Sequence, residues 1–299
     1  MDGIETFPAK KLLTPVKMSM EHFFLSNYTL NLYRGCNHGC IYCDSRSECY
    51  QIERFDDVRV KENALWMLRD ELSRKRESGV VSMGAASDPY NRFEGKLKVT
   101  REALKLLHTY GFGVGLSTKS ALAARDADIL GEIAKRSVTS ISFSITASDQ
   151  KVARFIEPQA SSTAARFAAM AMLAKNDVFT GTWMNPMLPF ITDDEENLRN
   201  IIRMTKDNGG RYVICFFGVT LRAGDREYFY QALDRDPKYR EIKQKYVDTF
   251  GFDYECTSPS IQRLYDVFRE ECDKAGLCWN FAELNKAAMA KCPQQLSMF

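Results

Sequence analysis

The amino-acid sequence predicts an α/β fold in which successive βα units run parallel and curl into a barrel. Runs of apolar residues of strand length alternate with amphipathic helical segments over roughly the first 220 residues. A chain of 299 residues with 45% apolar side chains is also long enough to bury the core of such a barrel. Because parallel βα units carry function at the C-terminal ends of their strands, candidate site residues are expected there.

Each predicted strand is a short run of apolar or alternating residues. Six such runs cover residues 30–33, 80–83, 114–118, 140–146, 179–187 and 212–219.

Each predicted helix carries apolar residues at helical spacing. In the segment 61–77, Leu65, Leu68 and Leu72 share one face. The segment 102–110 ends at Gly111, a residue type typical of helix C-termini. The other predicted helices between strands cover residues 126–135, 161–174 and 193–208.

The pattern changes after about residue 221, where charged helices are predicted over residues 227–250 and 260–275 and a short apolar piece over 277–281. This change divides the chain into four predicted parts. They are an N-terminal segment (1–24), a core barrel (25–222), a helical C-terminal extension (223–293) and a short tail (294–299).

The composition bounds the classes of partner and compartment. A net charge of +2 gives the whole surface no strong attraction for nucleic acid. Nine cysteines, without a signal peptide or an apolar run of membrane length, predict a reducing cytoplasmic environment and no membrane association. Six of these cysteines lie at wide, irregular spacings, which favours free thiols over a second cluster.

The remaining three cysteines, Cys36, Cys40 and Cys43, stand at a CxxxCxxC spacing. A cubane [4Fe–4S] cluster usually takes four thiolates, so three leave one iron open to a small bidentate cofactor. Gly35 and Gly39 allow the backbone to curl closely around such a cube. The alternatives are a zinc site or buried thiols, but zinc usually requires a second pair of ligands, and no such pair follows downstream.

The CxxxCxxC motif, with Tyr42 before the last cysteine, resembles the signature of the radical S-adenosylmethionine (SAM) superfamily. The longer stretch 33–46 is similar to the spore photoproduct lyase-like branch, and the resemblance extends over roughly residues 8–225. It implies a partial (β/α)6 TIM-like barrel with the cluster after the first strand. It also implies a [4Fe–4S] cluster, SAM, and an external electron donor such as flavodoxin or ferredoxin. In that family, reductive cleavage of SAM yields a 5′-deoxyadenosyl radical that abstracts a substrate hydrogen.

Polar residues follow the second and third predicted strands. Ser87 and Asp88 can accept hydrogen bonds from an ammonium group and resemble the family's site for the methionine amine, although Asp88-Pro89 is equally typical of a turn. Lys119 suits a carboxylate, and the resemblance implies that it contacts the carboxylate of SAM. The alternative for Lys119 is a solvated loop cation.

Two serines on the fourth strand, Ser142 and Ser144, share one face by the period of two and look like the family's cofactor-facing serines. Glu157 and Arg166 are similar to this branch's Glu-Pro motif and its downstream arginine. The resemblance implies that they belong to the cofactor site, and an ion pair that braces the fourth loop explains them as well as direct catalysis does. Tyr42 is expected to pack beside the adenine.

Two departures from the lyase pattern limit the resemblance. Spore photoproduct lyases resolve their product radical with a cysteine just after the second strand, where this chain has Ala85 and Ala86. They also use a tyrosine beside the last cluster cysteine, where this chain has Asp44. The residue that returns hydrogen is therefore not identified, and the chemistry is expected to start as in the lyases but to end differently.

The last five residues, Gln295, Leu296, Ser297, Met298 and Phe299, resemble the short peptide by which bacterial repair and replication proteins dock on the DNA sliding clamp. The glutamine would hydrogen-bond at the mouth of a pocket, and the three apolar side chains would fill an apolar cleft. The alternative is an apolar tail that folds onto the core.

The sequence therefore predicts a radical SAM enzyme that acts on DNA or a DNA-associated substrate, in lesion repair or modification. Two other classes stay open. One is a radical SAM enzyme that modifies a peptide or protein. The other is a non-catalytic iron–sulfur accessory protein of the sliding clamp.

Overall fold

A computed structural model of the chain describes residues 4–16 and 26–290. The strands of this part are, in chain order, β1 (Thr6–Phe7), β2 (Leu13–Pro15), β3 (Ser26–Leu30), β4 (Tyr33–Arg34), β5 (Arg59–Lys61), β6 (Val80–Met83), β7 (Gly113–Thr118), β8 (Thr139–Ser144), β9 (Phe179–Met184), β10 (Val213–Cys215), β11 (Gly218–Thr220) and β12 (Glu255–Thr257).

The helices alternate with the central strands, and four more follow β11, with β12 between the second and third of them. They are α1 (Ala64–Ser73), α2 (Glu94–Leu97), α3 (Val99–Thr109), α4 (Ala127–Ala134), α5 (Gln150–Ile156), α6 (Thr163–Lys175), α7 (Glu195–Asp207), α8 (Asp225–Asp234), α9 (Pro237–Phe250), α10 (Ile261–Ala275) and α11 (Phe281–Ala290).

The central sheet has the strand order β10-β9-β8-β7-β6-β3-β2. Its six strands from β3 to β10 pair in parallel, and β2 is added antiparallel to β3 at one edge. Helices connect the successive parallel strands, as expected for βα crossovers. The predicted α/β fold is confirmed, and the sheet matches the partial barrel expected from the resemblance.

The first barrel strand lies earlier than the sequence analysis predicted. In the structure β3 pairs with β6, whereas Tyr33 and Arg34 form β4 and pair with β5 in a separate small sheet. The prediction of a strand over 30–33 was therefore wrong. The strand was missed because its residues, Ser-Asn-Tyr-Thr-Leu, contain few apolar side chains to reveal it.

The predicted helices are present, but several ends and connections differ. The segment 227–250 is broken at Pro237, which begins α9 after the N-cap Asp236. The predicted strand 212–219 divides into β10 and β11, and β11 turns away to pair antiparallel with β12. The sequence analysis did not predict α5, α11 or β12.

The apolar core has one large cluster between the central sheet and its helices. A second cluster packs Cys40, Ile41 and Tyr42 against residues of α8 and α9 such as Phe229 and Tyr246. The loop that carries the cysteines is therefore fixed on one side by the C-terminal helices.

Strand pairing connects the predicted domains in two places. β2 lies inside the predicted N-terminal segment yet extends the barrel sheet, while β12 lies inside the predicted extension and pairs with β11. The bounds at residues 24, 222 and 293 stay a prediction. Among the described residues, no helix is long and apolar enough to cross a membrane.

Candidate active site

The cysteine loop is held by backbone hydrogen bonds to two different parts of the chain. The amide of Cys36 donates to the Phe55 carbonyl (2.9 Å), and the amide of Ile41 donates to the Ile156 carbonyl (3.0 Å). Gly35 has a φ of +79°, and a Cβ there would lie 2.5 Å from the Phe55 oxygen. The close approach of the two backbones therefore requires glycine at this position.

The three thiols of the loop interact electrostatically with one another. Burial raises the pKa of Cys36 to about 12, and burial also raises the pKa of Cys40 and of Cys43. Cys36 and Cys43 further raise the pKa of Cys40, while the ammonium of Lys119 lowers that of Cys40 and Cys43. Three neighbouring thiols whose thiolate forms would repel one another are the arrangement that a cationic metal centre would stabilise as thiolates.

The loop also contains an amide that lacks a partner among the described residues. The Nδ2 atom of Asn37 is buried and makes no hydrogen bond there. A donor beside three thiols fits a hydrogen bond to a cluster sulfur. In residues 4–16 and 26–290, no group of three or more His, Cys, Asp or Glu side chains is arranged around the position of a single metal ion. The residues present fit a cluster held by Cys36, Cys40 and Cys43.

A cavity of about 540 Å³ opens at the C-terminal ends of the barrel strands, beside this loop. Its wall includes Tyr42 and Cys43 from the loop, Gly84 and Ala85 after β6, and Lys119 after β7. A cavity of this size is in the range that holds a cofactor or a small ligand. Its position agrees with the expectation that function lies at the C-terminal strand ends.

Lys119 and Ser144, two of the residues predicted to bind the cofactor, lie on the cavity wall. Their contact with the cofactor stays a prediction. Lys119 Nζ lies 5.7 Å from the centroid of the Tyr42 ring. Burial lowers the pKa of Lys119, but Cys40 and Glu157 raise it more, so the side chain is a cation at neutral pH. A half-buried ammonium at the wall can bind an anionic group such as a carboxylate.

Asp88 is bound by the protein itself and does not lie at the cavity wall. Its Oδ1 accepts hydrogen bonds from the Tyr90 amide (2.8 Å) and the Thr118 hydroxyl (2.7 Å), and its Oδ2 accepts from the Lys119 amide (2.8 Å). His38 Nε2 lies 2.9 Å from Oδ2. Burial raises the pKa of the Asp88 carboxyl. His38 and the hydrogen bonds from the Lys119 amide and the Thr118 hydroxyl together lower this pKa by more than burial raises it, to about 2. Asp88 therefore links the cysteine loop to the end of β7.

Ser87 links the cysteine loop to the segment that follows β6. Its hydroxyl donates to the carbonyl of Gly35 (2.7 Å), just before Cys36. The side chain is buried and is not part of the cavity wall. Ser87 and Asp88 thus both contact the cysteine loop directly, and their predicted role at the methionine amine stays a prediction.

Glu157 and Arg166 form a buried ion pair, as one of the two interpretations of the sequence predicted. Arg166 Nη2 lies 2.5 Å from Glu157 Oε2, and the Tyr42 hydroxyl donates to Glu157 Oε1. Arg166 also donates to the carbonyl oxygens of Ser144 (2.6 Å) and Ser161 (2.8 Å). This network fixes Tyr42 on the cavity wall through the end of β8.

Ser142 lies below the cavity and is fully buried. Its hydroxyl pairs with the hydroxyl of Tyr212 (2.9 Å), as does that of Ser140 (3.1 Å). The Tyr212 ring is accommodated by Gly181, where a Cβ would lie 2.6 Å from the ring. The structure therefore brings Ser144, but not Ser142, to the cavity wall.

Other residues of the cavity wall were not recognised in the sequence. Trp183 at the end of β9 and Phe216 after β10 stack with ring centroids 6.0 Å apart and planes 12° apart. Cys256 on β12 also belongs to the wall. The apolar residues at the ends of the strands could have indicated the aromatic pair. Cys256 reaches the wall because β12 pairs with β11, and no local sequence pattern shows this long-range pairing.

Comparison with known proteins decides the family. A sequence model of the radical SAM superfamily matches residues 30–204, more than half of the chain and all of the cysteine loop. The chain belongs to the radical SAM superfamily. The predicted resemblance is thereby confirmed at the level of this family.

The relatives found by sequence come from bacteria, archaea and a virus. An uncharacterized protein of Mycobacterium tuberculosis (strain ATCC 25618 / H37Rv) is 30% identical over 232 residues, which cover 73% of this chain and 67% of that protein. An uncharacterized protein of Methanocaldococcus jannaschii is 30% identical over 190 residues, covering 62% of this chain and 68% of the relative. One from Acidianus two-tailed virus is 25% identical, with 61% and 64% covered.

Solved structures of spore photoproduct lyase share the fold of this radical SAM chain. One, complexed with dinucleoside spore photoproduct, superposes with a TM-score of 0.63 at 17% identity, covering 92% of this chain and 81% of the lyase. A mutant lyase with bound AdoMet and the same dinucleoside gives 0.62 at 16% identity, with 85% and 76% covered. The radical SAM methyltransferase TsrM from Kitasatospora setae gives 0.54 at 9%, with 88% and 58% covered.

Membership of the superfamily fixes the general chemistry. The chain is a radical SAM enzyme, and its cofactors are a [4Fe–4S] cluster and SAM. The radical SAM region spans the sheet strands from β6 to β9 together with the cysteine loop. It supplies most of the cavity wall, and residues of β11 and β12 beyond it complete the wall.

Proposed function

We propose that this radical SAM enzyme acts on DNA, in the repair or modification of a base, with a cluster held by Cys36, Cys40 and Cys43. The observation that carries the proposal is the cavity itself, which joins Cys43, Tyr42 and Lys119 at the C-terminal edge of a barrel with the lyase fold. When bound, a reduced cluster and SAM would supply a 5′-deoxyadenosyl radical that abstracts a substrate hydrogen.

The ammonium of Lys119 is the group we assign to the carboxylate of SAM. It lines the cavity and stands near the thiols of Cys40 and Cys43. A charge-assisted contact of this kind contributes about 1.5–3 kcal/mol. Ser144, on the same wall, is the serine we place against the cofactor, and Tyr42 offers its ring to the adenine.

Ser87, Asp88, Glu157, Arg166 and Ser142 act through other residues in this proposal. Asp88 holds the cysteine loop against the end of β7, and Ser87 holds Gly35 at the start of that loop. Glu157 with Arg166 holds Tyr42. Ser142 fixes Tyr212 beneath the cavity floor. They are positioning residues, because their polar atoms are already bound to the protein.

DNA is the proposed substrate because the fold is that of lyases crystallised with a dinucleoside lesion. The cavity also offers the stacked rings of Trp183 and Phe216, which suit the flat face of a base. Ala85 lines the wall where the lyase pattern has its cysteine, so this chain would complete the reaction by another route. We therefore propose that the reaction resembles that of the lyases only in its first step.

The partners in this proposal are an external electron donor, such as flavodoxin or ferredoxin, and a bacterial DNA sliding clamp. The clamp would bind residues Gln295 to Phe299, which lie outside the described residues. A cytoplasmic location is part of the same proposal, since a reducing compartment keeps the many thiols free.

The experiment is anaerobic reconstitution followed by iron analysis and a SAM-cleavage assay with a chemical reductant. The wild type should bind about four irons per chain and release 5′-deoxyadenosine. Replacing Cys36, Cys40 and Cys43 together by Ala should remove both, whereas Cys49→Ser, at an exposed thiol, should change neither. A triple variant that still binds four irons would exclude these ligands.

DNA is tested in the same assay. Addition of DNA that contains the substrate base should accelerate the formation of 5′-deoxyadenosine, whereas a peptide library should not. Acceleration by peptides alone would favour a peptide-modifying enzyme. A protein that binds its cluster but never cleaves SAM would favour the accessory protein of the clamp.

A further inference from the structure

The cysteine loop has two sides. Its last residues, Tyr42, Cys43 and Asp44, line the active-site cavity, where the proposed function places SAM and the substrate. Its middle residues Asn37 and Gly39 do not line that cavity, and both are only half-buried, so they reach the protein surface elsewhere. An electron that arrives at this outer side of the loop therefore does not have to cross the cavity.

The segment that follows α5 packs directly on this outer side. The amide of Gln159 donates to the carbonyl of His38 (2.9 Å), in the middle of the cysteine loop. A Cβ at Gly39 would lie only 3.1 Å from the Cγ atom of Pro158, which shows how closely the two segments approach each other. The surface next to the outer side of the loop is therefore formed by α5 and its C-terminal connection.

Two exposed cations lie on this surface. Lys151 and Arg154 are neighbours at a spacing of three residues on α5. The Nη1 atom of Arg154 donates to the carbonyl of Pro158 (2.8 Å), the residue that packs on Gly39, so the guanidinium stands beside the cysteine loop. In the described part of the chain, neither cation forms an ion pair within 4.0 Å. Both are therefore available to a partner.

A third exposed cation, Lys238, reaches the same surface from α9. The rings of Phe155 and Tyr239 stack with their centroids 3.8 Å apart, which fixes α9 against α5. The ammonium of Lys238 lies 5.1 Å from the centroid of the Tyr239 ring, at this contact between the two helices. We call Lys151, Arg154 and Lys238 the basic patch.

One exposed carboxylate, that of Asp149, lies among these cations. It accepts hydrogen bonds from the amides of Val152 (2.9 Å) and Lys151 (2.8 Å). These hydrogen bonds lower the pKa of the Asp149 carboxyl, and the ammonium groups of Lys151 and Lys238 lower it further, so both cations stand near it. Three cations around one carboxylate leave the surface with a net positive charge.

We propose that the basic patch is the docking surface of an acidic one-electron carrier protein, which reduces the cluster from the outer side of the cysteine loop while SAM and the substrate occupy the cavity. The carrier loses one electron, which the cluster gains, and no bond forms or breaks in this step. Opposite charges on two protein surfaces steer their encounter and orient the complex. The inference rests on the external electron donor of the proposed function and is independent of the DNA substrate.

The test uses the reconstituted protein with flavodoxin as the acidic carrier. Stopped-flow absorption follows reduction of the cluster, and Lys151→Glu should slow reduction by flavodoxin about tenfold at low salt and weaken its dependence on ionic strength. Reduction by photoreduced 5-deazaflavin should keep the wild-type rate, because a small uncharged reductant does not need the patch. As a readout of binding alone, a carbodiimide should cross-link Lys151 or Lys238 of the wild type to carboxylates of flavodoxin, as mapped by mass spectrometry.

The matched control is Lys175→Glu, which makes the same change of charge at an exposed lysine. Lys175 ends α6 shortly before β9 begins, at the end of the barrel opposite the cavity. This control should be reduced and cross-linked like the wild type, and both variants should keep the wild-type iron content and melting temperature.

Three results would overturn the proposal. Equal rates of reduction by flavodoxin in Lys151→Glu and the wild type would remove the patch while leaving the external donor intact. A wild-type cluster that 5-deazaflavin reduces but flavodoxin does not would contradict the proposed donor and the patch together. If Lys151→Glu weakened the binding of a DNA duplex but not that of flavodoxin, the patch would be a nucleic-acid contact instead.

Discussion

Lys119 and Tyr42 face each other across the wall of the active-site cavity, with Lys119 Nζ 5.7 Å from the centroid of the Tyr42 ring. They come from distant parts of the chain, one from the cysteine loop and one from the end of β7. Tyr42 is fixed by Glu157, and the backbone amide of Lys119 is fixed by Asp88 (2.8 Å). Two buried carboxylates thus set the positions of the groups that we assign to SAM.

Replacement of Lys119 by Ala is expected to weaken SAM binding roughly 10- to 150-fold, since it removes a charge-assisted contact of about 1.5–3 kcal/mol. The absorption spectrum of the cluster should be unchanged, because Lys119 is not a ligand. Lys105→Ala serves as a control, since Lys105 pairs with Glu102 on the exposed face of α3. Equal SAM affinity in Lys119→Ala and the wild type, measured by equilibrium dialysis, would make Lys119 an ordinary loop cation.

The two serines on β8 should respond differently to truncation. Ser144→Ala is expected to weaken SAM binding several-fold, because Ser144 lies on the cavity wall. Ser142→Ala should leave SAM affinity unchanged but lower stability by about 1 kcal/mol, because it removes a buried hydrogen bond to Tyr212. Denaturant melts and SAM titrations of the two variants check this, and the reverse pattern would mean that Ser142 is the serine that faces the cofactor.

Asp225, the first residue of α8, should make the stability depend on pH. Burial and the nearby Asp44 raise the pKa of its carboxyl from 3.8 to about 7, and its Oδ2 has no partner among the described residues. The folded protein therefore keeps a proton that the unfolded chain releases above about pH 4. Stability should fall as pH rises from about 4 to 7, by about 2–4 kcal/mol in total.

The variant Asp225→Asn isolates this effect. Its amide oxygen can still accept from the Arg222 amide, as the Asp225 carboxylate does at 2.7 Å, but it carries no charge. We expect it to be more stable than the wild type at pH 8 and equally stable at pH 4, as measured by chemical denaturation. Parallel pH profiles for the two proteins would show that Asp225 is ionised without cost in the folded state.

The C-terminal tail should bind a bacterial sliding clamp with an affinity in the micromolar range, as expected for a five-residue anchor with a small interface. Deletion of residues 295–299 should abolish this binding without affecting SAM cleavage. Phe299→Ala alone should remove most of it, since buried aromatic residues are the usual hot spots. A full-length protein that does not bind the clamp, or a deletion that prevents folding, would indicate that the tail belongs to the core.

The fold was predictable from the sequence where hydrophobic periodicity is strong. The strands β6, β7 and β8 and the helices α6 and α7 lie close to their predicted positions. The predicted position of β3 was wrong because Tyr33, which resembled the end of a barrel strand, belongs to the small sheet of β1, β4 and β5. Pairing between distant segments decided that assignment, and no local pattern reports it.

The site was predictable in its residue types more than in their roles. The spacing of Cys36, Cys40 and Cys43 and the position of Lys119 at a strand end were visible in the sequence. The sequence could not show that the Asp88 carboxylate would contact His38 and accept a hydrogen bond from the amide of Lys119. It also could not show that the hydroxyl of Ser142 would pair with that of Tyr212. Those contacts depend on tertiary packing of residues far apart in the chain.

Transfer of deuterium from DNA to 5′-deoxyadenosine is the most direct test of the central claim, that the SAM-derived radical of this enzyme attacks DNA. Reduced, reconstituted protein is supplied with unlabelled SAM and DNA deuterated at all carbon-bound positions, and the triple cysteine variant is the control. We predict that mass spectrometry finds deuterium in the 5′-deoxyadenosine, or in recovered SAM, for the wild type alone. Formation of 5′-deoxyadenosine without deuterium, while the labelled DNA that contains the substrate base is bound, would contradict the account.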